Sequence, residues 1–362
     1  MIFPRCLQRG KIKCSEEHLD MAARSTKRVL LLYTDPYYIV KPVYPFGLDV
    51  IARFLRERGI HVDIEFPYFP HRDVAANLTG ILDRTDPDLI GLGIRNIDTT
   101  MACEAFGDYR ADGFQTFYFV PEIRNIVDLL KRSRPDVPIV AGGGAFTVAP
   151  EAFLDALGLD FGIAGEGESP LYEFLAAFPD LEAVAQIPGM VCRDGSQVVV
   201  NPRAPYRFPE PGEGFVREAG FSYAFETAGL PVQVKRGCSR GCIYCVEPII
   251  EGKQAIHRSL DKVLEELQFV ARRQEGVRKI FFVDTEFNVP DLDYASALVG
   301  RIIDSGLGER FTFASQFLPR PFDSAFADLL AKAGFSVILT GDSFSDRVLG
   351  QNRAPFRRQD LC

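Results

Sequence analysis

A chain of 362 residues is long enough for two or three domains that each bury a core, and 47% hydrophobic with 25% charged residues excludes large-scale disorder. The net charge of −8 argues against a general nucleic-acid binder, and the basic run Arg353–Arg358 reads as a solvated loop. Eight cysteines, three of them clustered, argue against a secreted disulfide framework, and no apolar run approaches a membrane span, so a cytoplasmic protein is expected.

Residues 1–26 carry basic side chains without a continuous apolar stretch, which reads as a mobile extension and not a secretory signal. From Lys27 onward, strand-like and helix-like segments alternate. Arg28–Tyr33, His61–Phe66, 87–94, 138–141 and 160–163 read as strands. Leu48–Arg58, Val74–Thr85, Val120–Arg132, Pro150–Leu157 and Ser169–Ala177 read as helices between and after them, the first stopping at Gly59. Strict β/α alternation implies a doubly wound, Rossmann-like parallel sheet over residues 27–178, with ligands beyond the carboxyl ends of its strands. The loops Asp35–Tyr38, Arg95–Asp98 and Gly142-Gly143-Gly144 lie at such ends. A triple glycine lets backbone approach a ligand closely, although a tight strand-to-helix turn explains it equally.

Residues 179–225 read as a connector holding one small hairpin, 190–192 against 197–200. Residues 226–362 alternate again: 231–234, 279–283, 311–315 and 336–340 as strands, with helices over 263–271, 294–304 and 322–333 and Ser259 as an N-cap. Four βα strands suit a partial (β/α) barrel with its site at the C-terminal strand ends.

Within residues 226–362, just after the first strand, lies Cys238-x3-Cys242-x2-Cys245, in VKRGCSRGCIYCVEP. Three thiolates can hold three irons of a [4Fe–4S] cluster and leave the fourth iron open to a substrate or cofactor. A structural zinc site would close with four ligands, and His257 is the nearest nitrogen for a Cys3His site. That site and chance clustering are the alternatives.

The CxxxCxxC spacing, with Tyr244 before the last cysteine, resembles the signature of the radical S-adenosylmethionine (SAM) enzymes. That resemblance implies that the open iron binds SAM and that one electron from the cluster cleaves it to a 5′-deoxyadenosyl radical. It places Tyr244, Asp284, Glu286, Ser315, Gln316 and Asp342 near SAM, with Asp342 standing where a glutamate is usual. The series 45–48, Gly91–Ile94, Ala141–Gly144 with Pro150-Glu151, and Gly165-Glu166-Gly167-Glu168 resembles the cobalamin-binding domain that precedes many radical SAM modules. Gly142, Gly143, Gly144, Gly165 and Glu166 would border the corrinoid. Histidines stand only at 18, 61, 71 and 257, outside any DxHxxG motif, so histidine ligation of cobalt is not expected. Arg95 or Asn96 would instead approach the lower face, where a guanidinium cannot ligate cobalt but would keep that position empty and favour Co(I). An arginine paired with Asp98 or a neighbouring helix is the plainer alternative.

The resemblance implies a cobalamin-dependent C-methyltransferase acting on a small molecule or peptide, with an external flavodoxin- or ferredoxin-type electron donor. Other radical SAM reactions (cyclase, oxidase, methylthiotransferase-like) and a non-catalytic cobalamin- or cluster-binding protein are the other readings. About four of the family's six βα units are present, which reads as a truncated barrel.

Overall fold

A computed structural model of the chain describes residues 26–36, 43–71, 73–95, 119–208 and 219–361. The N-terminal extension, Tyr37, Tyr38, Asn96, Asp98 and residues 209–218 of the expected connector lie outside the described residues. The chain forms two compact units, dividing between Tyr206 and Arg207, with Val43 and Tyr44 grouped with the second.

The first unit is built on seven strands: β1 (Arg28–Tyr33), β2 (His61–Glu65), β3 (Leu89–Gly93), β4 (Ile139–Gly142), β5 (Phe161–Ile163), β6 (Met190–Asp194) and β7 (Gln197–Val200), in the order β2-β1-β3-β4-β5-β6-β7. The first five run parallel, with Val29 opposite Leu89 and Ile90 opposite Ile139. Helices cover a parallel sheet on both faces, and Val29 through Tyr33 are accordingly all buried, which is why the sequence there is an unbroken apolar run. The helices Val74–Thr85, Phe119–Ser133 and Pro150–Leu157 contribute Leu78, Ile123, Ile126 and Leu154 to the core beneath it. Asp73 caps the first of these, accepting from the amides of Ala75 (2.9 Å) and Ala76 (3.2 Å).

The expected connector is not a free-standing link over its first part. The hairpin β6–β7 extends the sheet, β6 lying antiparallel to β5 with Phe161 opposite Cys192. Met190 and Val191 are fully buried, so docking the hairpin hides apolar surface that an isolated two-stranded ribbon would leave in water.

In the second unit β8 (Leu230–Val232), β11 (Lys279–Phe282), β12 (Thr312–Phe317) and β13 (Phe335–Leu339) form a parallel sheet in the order β13-β12-β11-β8. The short β9 (Lys235–Arg236) and β10 (Ile256–His257) pair antiparallel beside the cysteine motif. The helices Leu260–Arg273, Leu292–Asp304 and Ser324–Lys332 pack Val263, Leu267, Leu298, Ile302 and Phe326 onto one face, against Ile280, Phe282, Phe313 and Phe317. Phe282, Phe313 and Phe335 stack across three neighbouring strands, with centroids 5.1–5.8 Å apart. These are the four βα strands of the sequence reading, in one parallel array among the described residues.

Candidate cofactor site

The cysteine loop begins where β9 ends. Gly237 turns the chain at φ 85°, and a Cβ there would lie 2.1 Å from the Gln254 carbonyl oxygen, so only glycine lets the two backbones meet. The Cys238 amide donates to the Gly252 carbonyl at 3.1 Å, fixing the first cysteine. Cys238 is buried, Cys242 and Cys245 are half-buried, and none forms a disulfide.

Burial pushes the Cys242 and Cys245 thiols up; the Tyr244 hydroxyl opposes this at Cys242 and a backbone hydrogen bond at Glu247 opposes it at Cys245. Charge on the neighbouring cysteines adds to the rise at both. Mutual repulsion of that kind is what an iron–sulfur cation relieves. Among the described residues, no three His, Cys, Asp or Glu side chains converge closely enough to hold a single metal ion. His257, the candidate fourth zinc ligand, is stacked on the Tyr294 ring at 4.2 Å.

The end of β11 supplies two carboxylates. Asp284 is buried, and its Oδ1 accepts from the amides of Val234 (2.8 Å) and Lys235 (2.5 Å). Its Oδ2 is also buried and accepts from nothing, and burial lifts the group to about 7 against the pull of Lys235 and the two amides. Glu286 adopts φ 56°, a left-handed conformation that costs a non-glycine residue about 1–3 kcal/mol and tends to mark functional sites. Its Oε1 accepts from Thr340 Oγ1 at 2.7 Å, while its Oε2 is buried and unpartnered.

Tyr244 hydroxyl donates to Asp342, joining the cysteine loop to the loop after β13, and burial and that carboxylate hold the phenol well above its usual range. Of the residues expected near SAM, the structure therefore brings Tyr244 to Asp342 and sets Asp284 and Glu286 beside the loop. It separates the other two. Side chains alternate along a strand, and Ser315 points with Phe313 and Phe317 into the packed face, where its hydroxyl donates to the Phe282 carbonyl at 3.0 Å. Gln316 lies on the exposed, opposite face. Ser315 is thus buried in the packed face, while Gln316 stands on the open one.

In the first unit Asp35, Arg95, Gly142–Gly144 and Gly165-Glu166 lie at the carboxyl ends of β1, β3, β4 and β5. Arg95 Nε donates to Asp35 Oδ2 at 3.0 Å; Asp35 also accepts from the Tyr33 hydroxyl at 3.2 Å. Its partner is thus the buried Asp35, at the end of the neighbouring strand β1. Gly143 has φ 98°, and a Cβ would lie 2.5 Å from the Ile94 carbonyl oxygen; at Gly165 (φ 94°) it would lie 2.3 Å from Arg203 Cδ. Gly143 is required by a backbone contact within the chain, and Gly165 by its positive φ, since the Arg203 side chain can move. Gly142 ends β4, Gly144 opens the short helix Gly144–Val148, and Glu166 is half-buried.

The B12 binding domain family matches residues 119–175, and the radical SAM superfamily matches residues 232–360. The chain belongs to the radical SAM proteins that carry a B12-binding domain. This radical SAM protein is 25% identical over 366 aligned positions to tryptophan 2-C-methyltransferase of Streptomyces laurentii, covering 85% of the chain and 58% of that relative. An uncharacterized methyltransferase of Pyrococcus horikoshii is 23% identical, covering 84% of the chain and 62% of that relative. Among solved structures, the radical S-adenosylmethionine methyltransferase TsrM of Kitasatospora setae, with cobalamin and a [4Fe–4S] cluster bound, is 26% identical. It superposes with a TM-score of 0.77 over 93% of the chain and 64% of TsrM. A second TsrM structure holds tryptophan substrate and a SAM analogue. The chain spans less than two thirds of these relatives' own lengths.

Several residues of this radical SAM protein support the site without being expected ligands. Lys235, inside the cysteine run, is 1% exposed and its Nζ donates to the Thr285 carbonyl; a lysine directly after the strand-like run 230–234 is its signal. Thr147 donates to the Gly143 carbonyl (2.9 Å) and accepts from the Gly165 amide (2.9 Å), tying the two glycine loops together. Thr340 and Glu251 act only through tertiary contacts. The donor set suits an iron–sulfur cluster, and two buried carboxylate oxygens without donors suit a ligand that brings an ammonium group.

Proposed function

We propose that this protein is a cobalamin-dependent radical SAM C-methyltransferase that acts on a small molecule or peptide in the cytoplasm. The observation that carries the reading is the alignment to tryptophan 2-C-methyltransferase, which takes in 85% of the chain and so extends well beyond the radical SAM region. Cys238, Cys242 and Cys245 would hold a [4Fe–4S] cluster that engages SAM. Asp284 and Glu286 accept the SAM ammonium with their free oxygens, and Tyr244, Gln316 and Asp342 border its nucleoside. Gly142, Gly143, Gly144, Gly165 and Glu166 would border the corrinoid, with Arg95, held by Asp35, or Asn96 turned toward it. The chemistry these groups supply when bound is one-electron reduction of a sulfonium and methyl relay. The electron comes from an external flavodoxin- or ferredoxin-type donor.

Tryptophan, present in a related structure, is the first substrate to try. The anaerobically expressed chain should contain about four irons and one cobalt. With SAM and a reductant it should release S-adenosylhomocysteine while the product gains the mass of one methylene. SAM cleavage to 5′-deoxyadenosine, without S-adenosylhomocysteine or a methylated product from any substrate tried, would count against methyl transfer.

A further inference from the structure

The segment carrying all three cysteines leaves β9 at Gly237 and returns at Glu251, and its two ends are fastened to each other. Glu251 Oε2 accepts from the Gly237 amide at 3.2 Å, beside the bond from the Cys238 amide to the Gly252 carbonyl. The same oxygen accepts from Thr285 Oγ1 at 3.2 Å, and Oε1 accepts from Gln233 Nε2 at 3.4 Å. Thr285 stands between Asp284 and Glu286, and its carbonyl also receives Lys235 Nζ. One carboxylate thus closes the mouth of the cysteine loop and anchors it to the strand end that carries both unpartnered carboxylate oxygens. An acceptor shared by three donors from three segments is costly to replace, since truncation strands a backbone amide and a hydroxyl together.

We propose that Glu251 is a positioning residue: it sets the spacing between the cysteine loop and the Asp284–Glu286 pair, and its charge lowers the potential of the cluster held there. The inference rests on the cluster reading above. Glu251 acts through Gly237 and Thr285, not through a cysteine sulfur. Charge near a cluster and hydrogen bonding around its thiolates are the levers a protein has over its potential. Glu247, Arg236 and Lys235 also carry charge beside this loop and stay constant across the variants below.

The test uses the full chain, anaerobically reconstituted with iron and sulfide, as wild type, Glu251→Gln, Glu251→Ala, Thr285→Val and the exposed control Glu265→Gln. Iron per chain, the electron paramagnetic resonance spectrum of the reduced cluster with and without SAM, and its midpoint potential are measured. Glu251→Gln keeps one acceptor oxygen, so it should retain its iron and show an upward shift in potential that Glu265→Gln lacks. Glu251→Ala should lose at least half its iron. Thr285→Val should keep its iron and potential but show a weakened spectral response to SAM. A Glu251→Gln cluster at the wild-type potential, or a Glu251→Ala chain fully loaded with iron, would overturn the proposal even if another variant failed to fold. A wild-type chain that takes up no iron would overturn the cluster reading and this inference together, whereas a loaded wild type with indifferent variants overturns the inference alone.

Discussion

Asp284 holds two backbone amides with one oxygen and leaves the other buried without a donor. Because burial lifts it to about 7, above the value near 4 of an unfolded aspartate, folding favours its protonated form. Its contribution to stability is therefore complete below about pH 4 and is lost as pH rises through about 7. Asp284→Asn keeps the acceptor for both amides and cannot ionise. The cofactor-free variant should gain in melting temperature relative to wild type between pH 5 and pH 8, measured by circular dichroism; parallel melting profiles would refute the assignment. Glu286 offers a complementary test on the ligand side. Glu286→Gln retains an oxygen for Thr340 but removes the charge offered to an ammonium. A charge-assisted hydrogen bond contributes about 1.5–3 kcal/mol, so SAM affinity should fall by about 10- to 100-fold in equilibrium binding to the cluster-loaded chain. Unchanged affinity would remove Glu286 from the SAM site.

At the scale of elements, the carboxyl ends of β4 and β5 are held together by one hydroxyl, that of Thr147. Thr147→Val preserves the shape and strands the Gly165 amide, which should cost about 1–3 kcal/mol of stability by chemical denaturation and weaken corrinoid retention. A variant as stable as wild type would mean that the Gly165 amide finds another acceptor. This contact also marks where the sequence stops being readable. The parallel strands declare themselves as apolar runs because both their faces are covered, and Arg28–Tyr33, Val74–Thr85 and Pro150–Leu157 fall on the residues that periodicity and punctuation indicate. Glycines at 143 and 165 are conspicuous too, but their partners, Ile94 and Arg203, come from distant parts of the chain. The hairpin β6–β7 was legible as a hairpin and not as part of the sheet, since the docking of Met190 and Val191 is a tertiary choice. Likewise, strand period alone assigns Ser315 and Gln316 to opposite faces, yet only packing decides that the Ser315 side is the closed one.

Taken as a whole, the second unit presents an unusual edge. β13 follows β12 in register, Ser315 opposite Val337 and Phe317 opposite Leu339, and pairs with no further strand among the described residues. Parallel strands are normally covered on both faces, but Val337, Ile338 and Leu339 are 40%, 46% and 48% exposed. Side chains on both faces of one edge strand are thus open to solvent, alongside unpaired backbone groups. Sheets ordinarily blunt such edges with charge or cover, and an apolar one is a template for association. The chain should therefore self-associate with rising concentration. Val337→Lys places a charge on the face of the sheet opposite Gln316, away from the carboxylates proposed to bind SAM. The native side chain is exposed, so its replacement should change stability by no more than about 0.5 kcal/mol. Sedimentation velocity over a range of concentrations should show the weight-average sedimentation coefficient climbing for the wild type and flattening for Val337→Lys. If both chains sediment as monomers throughout, the edge is protected by something other than side-chain chemistry, and the argument from exposed apolar residues fails.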